Sequence, residues 1–144
     1  MNQNQSITEI MLKHHIRIID LLNVINDKAQ HKDAAMANVI SKFRWELEKH
    51  FFLEEKAIFQ LHYSKNVETN RIKTRLKKEH NNLIERFDKI EEDLKNNSKI
   101  DIAEFRKHYL KHMNFENKFF YPRLDKELDD DRKMMIIERI TDSV

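Results

Sequence analysis

A chain of 144 residues with no glycine and a single proline, Pro122, lacks most of the residues that sharp chain reversals require. Strand hairpins close through positions at positive φ, which glycine occupies at least cost. A sheet protein of this length needs many such turns, so helices joined by a few polar connections are what remains. The expected fold is all-α: an antiparallel up-down-up-down four-helix bundle with a short C-terminal fifth helix, forming one domain over residues 1–144.

The apolar positions recur at helical spacing. Ile7, Met11, His15, Ile18, Leu22 and Ile25 mark a first helix capped by Ser6 or Thr8, with a turn expected near Asp27 to Lys32. A second helix, expected to start near Asp33, carries Met36, Ile40, Phe43, Leu47, His50, Glu54, Ile58 and Leu61, and breaks at Ser64 to Asn66. A third carries Ile72, Leu76, His80, Leu83, Phe87, Ile90 and Leu94 and ends at Asn96-Asn97-Ser98, residues that favour turns. The fourth opens on the capping pair Asp101 and Glu104, carries Phe105, Tyr109, His112, Phe115, Glu116 and Phe119, and is expected to end at Pro122. Leu124, Leu128, Met135, Ile136 and Ile140 mark the fifth.

Each stripe is interrupted by polar residues. His50-x-x-x-Glu54 and His112-x-x-x-Glu116 each place an imidazole above a carboxylate on one helix face, in positions that otherwise hold apolar side chains. The spacing alone is common; the depth is not. At about 1.5 Å per residue counted from the turns near 66 and 97, His80 lies within a few ångströms of the level of both pairs. His15 reaches the same level if the first helix continues to about residue 30. His15 is preferred to His14 because Ile18, Ile19 and Leu22 follow on its face, whereas His14 has Arg17 three residues on. His108 reads as a core histidine or a partner to a ligand, Glu55 as a solvated residue or an acceptor behind one, and His31 and His62 as surface residues. Trp45 and the phenylalanines read as core.

The remaining composition narrows the chemistry. There is no cysteine, hence no disulfide, thiolate nucleophile or thiolate metal site. Lysine and arginine number 27 against 25 acidic residues, a balance that points to solvated helix faces and away from nucleic-acid or membrane surfaces. No run approaches a membrane span and the first residues are polar, so the expected location is the cytoplasm. Histidine and carboxylate donors suit iron, manganese or zinc. Ferritin-like di-iron sites need Glu-x-x-His, and no histidine here has glutamate three residues before it.

The pattern resembles the hemerythrin-like, HHE cation-binding family. The likeness rests on His15, on His50-Phe51-x-x-Glu54-Glu55-x-x-Ile58-Phe59, on Glu79-His80-x-x-Leu83, and on His112-x-x-x-Glu116 with Phe120-Tyr121-Pro122. It implies two non-haem irons, oxo- or hydroxo-bridged, with His15, His50, His80 and His112 as terminal ligands and Glu54 and Glu116 as bridges. In oxygen-carrying hemerythrins the third helix has two histidines four apart; here Leu76 and Ile84 flank His80 at that spacing. Their fourth helix uses His-x-x-x-x-Asp, against His-x-x-x-Glu here. Both departures match the branch that includes iron–sulfur repair proteins and iron sensors, although no cysteine-bearing N-terminal segment of the kind usual in those repair proteins stands here.

The function implied is binding or sensing of oxygen, nitric oxide or iron. The alternative is a di-iron oxidoreductase or iron donor in detoxification or cluster repair. Phe51, Leu83, Ile84, Phe115 and Phe119 are expected to form an apolar shell that excludes water. No general base, nucleophile or phosphate loop stands outside the ligand set, so any reaction would be redox chemistry at the metals.

Overall fold

The computed structural model describes residues 6–31, 35–62 and 64–142. All its regular structure is helical: α1 (Ile7–His31), α2 (Met36–Leu53), α3 (Val67–Lys95), α4 (Ile102–Phe115), α5 (Tyr121–Glu127) and α6 (Asp130–Asp142). Two wider turns, π1 (Glu54–Phe59) and π2 (Glu116–Phe120), continue α2 and join α4 to α5.

The helix starts follow local chemistry. Ser6 Oγ accepts from Glu9 N, Asn66 Oδ1 from Glu68 N and Thr69 N, and Asp101 Oδ1 from Glu104 N. The Glu104 carboxylate binds His108 Nε2 at 2.9 Å. A second cap on α1 is tertiary: Asp125 of α5 accepts from Ile7 N, Thr8 N and Thr8 Oγ1. Asn97 closes α3 at φ 56°, a conformation asparagine tolerates.

α1 runs through the expected turn as far as His31, because nothing before Lys32 breaks the helix. The expected start of the second helix at Asp33 lies outside the described residues, as does the side chain of His31; α2 begins at Met36. Pro122 does not end a helix. It sits in the first turn of α5, where its missing N–H costs little, and the chain stays helical to Glu127. The single C-terminal helix expected to carry Leu124 to Ile140 is divided: Leu124 lies in α5, Leu128 follows its end, and only Met135, Ile136 and Ile140 lie in α6, with Met135 exposed.

α1 packs on α2, α2 on α3, α3 on α4 and α4 on α1. Their apolar faces form two core clusters. One gathers Met11, Ile58, Leu76, Phe120 and Leu124 with α6; the other gathers Leu22, Phe43, Leu47, Phe87 and Phe105. Phe43, Phe87 and Phe105 meet with ring centroids 5.1–5.9 Å apart, burial worth about 1.5–3 kcal/mol for each side chain. Four stretches pass between the clusters once each: α1, α2 with π1, α3, and α4 with π2, whereas the buried residues of α5 and α6 all lie in the first cluster. α1 leaves the first after Met11 and enters the second at Ile18; α2 leaves the second at Phe51 and enters the first at Ala57. α3 crosses between Leu76 and Leu83, and α4 between Met113 and Phe120.

Three expectations about packing are corrected. Trp45 is 59 % exposed and Phe52 is exposed as well, since both lie on the face of α2 opposite Leu47 and Glu54. His62, expected at the surface, is 2 % exposed. π1 adds a residue to its turn, so the core register moves from Leu61, which is half-buried, to His62. Burial, then Lys73 beside it, pushes His62 down to about 4. A depressed histidine pKa gives stability that is complete above about 6.5 and lost as pH falls toward 4, up to about 3 kcal/mol. Urea unfolding between pH 7 and 4 is expected to show this loss, and His62→Gln to remove that part of it.

Candidate metal centre

The gap between the two core clusters is filled by His15, His50, Glu54, His80, His112 and Glu116, all buried. They form two groups, His15–His50–Glu54–Glu116 and Glu54–His80–His112–Glu116, in each of which one donor atom per residue lies within 4.8 Å of the others. Both glutamates belong to both groups. Nε2 of His15 and of His112 each stand 3.2 Å from Glu116 Oε1. His50 Nε2 is 3.1 Å and His80 Nε2 3.5 Å from Glu54 Oε1. His15 Nε2 and His50 Nε2 face each other at 3.2 Å, a separation at which two lone pairs repel unless a proton or cation lies between them. His14 is half-buried outside the groups, its ring 6.2 Å from that of His50.

The outer nitrogens decide which way the rings present themselves. Nδ1–H of His15 donates to Asn117 Oδ1 (2.9 Å), that of His80 to Glu55 Oε2 (3.0 Å) and that of His112 to Glu79 Oε1 (2.8 Å). A proton held on Nδ1 leaves Nε2 with its lone pair toward the centre, as metal-binding histidines are commonly arranged. Glu55 is therefore an acceptor behind a ligand candidate. Glu79 is itself held by Arg75 Nε at 2.8 Å. His108 plays no part: it is half-exposed and paired with Glu104. Asn117 and Glu79 gave no periodic signal, because each directly adjoins a core residue, Glu116 or His80, and so turns about 100° from that face toward a neighbouring helix.

Inside the centre, polar atoms lack hydrogen bonds of good geometry: Glu54 Oε1, both oxygens of Glu116, and Nε2 of His80 and His112. Buried groups are normally satisfied, and two buried carboxylates without a cation are costly. The electrostatics carry the same sign. Burial works to raise the Glu54 carboxyl, but Glu116 and the His50 and His80 imidazoles hold it well below the usual carboxylate range. Burial opposes charge on His112, yet Glu116, and then Glu79, raise it to about 10. His80 is raised above its usual value against burial by Glu54 and Glu116. The centre draws positive charge, and nitrogen and oxygen donors without thiolate fit iron, manganese or zinc.

Both wide turns begin at the glutamate of a His-x-x-x-Glu pair, Glu54 for π1 and Glu116 for π2. Such turns concentrate at functional sites, and each moves the following side chains round by about one residue. After Glu116 the buried positions are Phe120 and Tyr121, while Phe119, expected in the apolar shell, is 49 % exposed. Phe115 is half-buried beneath Arg75 and Ile84 half-buried against the second cluster. The rings that do line the centre include Phe51, stacked on His80 at 4.0 Å and 12°, and Phe59, parallel to the same imidazole at 6.1 Å. Tyr121, not foreseen, donates to Glu54 Oε2 at 3.1 Å and lies 3.2 Å from His15 Nε2.

A family model described as the hemerythrin HHE cation binding domain matches residues 6–124, a span that contains all six central residues. The chain belongs to the hemerythrin HHE cation-binding family. No curated protein and no solved structure matches it significantly. As a member of this family it is a cation-binding helical bundle, and the buried histidine and glutamate groups are where a cation would fit. Among the described residues no helix is long and apolar enough to cross a membrane.

Proposed function

We propose that this hemerythrin-like chain holds two iron ions, one by His15 and His50 and the other by His80 and His112, with Glu54 and Glu116 reaching both. The observation that carries the reading is the sharing of both glutamates by two otherwise separate four-residue groups. Bound there, an iron pair supplies one-electron redox chemistry and open positions for a small ligand such as oxygen or nitric oxide. The protein's part is to keep the imidazoles oriented through Asn117, Glu55 and Glu79, and to exclude water with Phe51, Leu83 and Phe59. Tyr121 keeps a hydroxyl proton beside Glu54. The alternating order in which the helices pass from one core cluster to the other supports an antiparallel up-down-up-down bundle in a single domain.

A second reading, a di-iron oxidoreductase or iron donor, draws on two observations. Ile84 stands four residues after His80, the spacing at which oxygen carriers place a further histidine, so this position would offer the iron no ligand. Tyr121 is a buried proton donor next to a bridging candidate. Stopped-flow mixing of the reduced protein with oxygen and with nitric oxide separates the two readings. A stable, reversible adduct is expected for a carrier or sensor; multiple turnovers with a reductant would replace that reading by the enzyme.

The outer partners can be weighed separately. Glu79→Ala is expected to lower metal affinity by about 10–100-fold, since loss of its acceptor frees the His112 ring to turn. Competition with a chelator measures this; an unchanged affinity would remove Glu79 from the centre's support.

A further inference from the structure

On the outside of the bundle, where the first turns of α3 meet π2 and α5, lies a cleft of about 220 Å³. Its walls include Arg71, Arg75, Arg123, Phe115, Phe119 and a single carboxylate, Glu68. Arg75 lies over Phe115, its guanidinium carbon 3.7 Å from the ring centroid, and its Nε donates to Glu79 Oε2 at 2.8 Å. Lys118 adds a further positive charge 5.6 Å from the Phe119 ring. Arg71 has only a loose, exposed pair with Glu68 at 3.8 Å. Arg123 makes no hydrogen bond or ion pair among the described residues. Phe119, whose ring centroid lies 5.4 Å from that of Phe115, keeps half its surface in water and so offers an open aromatic face.

We propose that this cleft binds a small organic anion with a flat apolar body, of the arenecarboxylate class. The guanidinium fork matches a carboxylate in two parallel hydrogen bonds, and the Arg123 fork makes no direct hydrogen bond, although its charge also acts on Glu127 one turn away. The Phe119 ring and the Arg75 guanidinium over Phe115 line the cleft with one aromatic and one cationic group that can each pack against a planar body. Because Glu79 and Phe115 already fix Arg75, little side-chain freedom is lost on binding. The volume admits about one ring with its carboxylate and falls below the roughly 300–1,000 Å³ of sites for larger ligands. None of these residues is among the six of the metal centre, so the proposal does not rest on the metal reading.

Calorimetric or NMR titration of the full chain as purified, with benzoate, benzamide and inorganic phosphate in turn, is the test. Benzoate is expected to saturate one site and to bind at least about tenfold more tightly than either other probe, each tenfold step being about 1.4 kcal/mol. Arg123→Gln, at a partly exposed position, and Phe119→Ala, at an exposed one, are each expected to weaken benzoate by about tenfold with helix content unchanged. Equal binding of phosphate would show a charge site only, and equal binding of benzamide an apolar cleft only. Either result, no saturation with benzoate, or no effect of Arg123→Gln would overturn the proposal.

Discussion

Glu54→Ala is expected to bind less than about a tenth of the metal held by the unaltered chain, because the loss falls on both ions at once. Glu54 is fully buried, and its Oε1 approaches one imidazole from each group, His50 at 3.1 Å and His80 at 3.5 Å. Without it, each group keeps two imidazoles and a single shared anion, Glu116. His112→Ala touches only one group and is expected to lower the count toward one ion per chain. Metal analysis at matched protein concentration, with far-ultraviolet circular dichroism to check helix content, reads both outcomes. Two ions per chain retained by folded Glu54→Ala would show that the glutamate is not shared.

Metal affinity is expected to rise steeply with pH while the metal-free chain loses stability. His112 is raised to about 10, so near neutrality it carries a proton that an entering cation must displace, and His80 is raised in the same direction by Glu54 and Glu116. The proton displaced from His112 makes apparent affinity about tenfold stronger per pH unit below about 10. The stability effect has the opposite sign. A histidine whose folded pKa is raised contributes stability that is complete below about 6.5 and lost as pH rises through its folded value, here about 10. Chelator competition at pH 6, 7 and 8, beside thermal melts of metal-free protein from pH 7 to 10, tests both halves. An affinity that does not change with pH would mean that these imidazoles do not meet the cation.

Much of this was legible from spacing. His50, Glu54, His80, His112 and Glu116 sit at apolar positions of periodic stripes, and counting residues from the turns puts them at one level. That level depends only on helix rise, which varies little. His15 needed a longer first helix, and α1 continues to His31. The misplaced residues share one cause. Phe119 and His62 each follow a glutamate at which the helix widens, and extrapolation at 3.6 residues per turn is then wrong by about one position; Tyr121, given no place by spacing, follows the same wide turn as Phe119. Trp45 and Phe52 were misread for another reason: hydrophobic character is only a one-way guide to burial.

The absence of glycine, the helical period and the polar interruptions determined an all-helical chain with a band of histidine and glutamate across its core, because these follow from backbone sterics and local periodicity. Tertiary structure decided which side chains close on that band. Asn117, Glu55 and Glu79 come from other turns or helices than the imidazoles they hold, and the wide turns at Glu54 and Glu116 lie where the chain passes from one core cluster to the other. Contacts between helices depend on how each helix is rotated about its axis, and that rotation is set by the summed packing of the bundle rather than by any one segment.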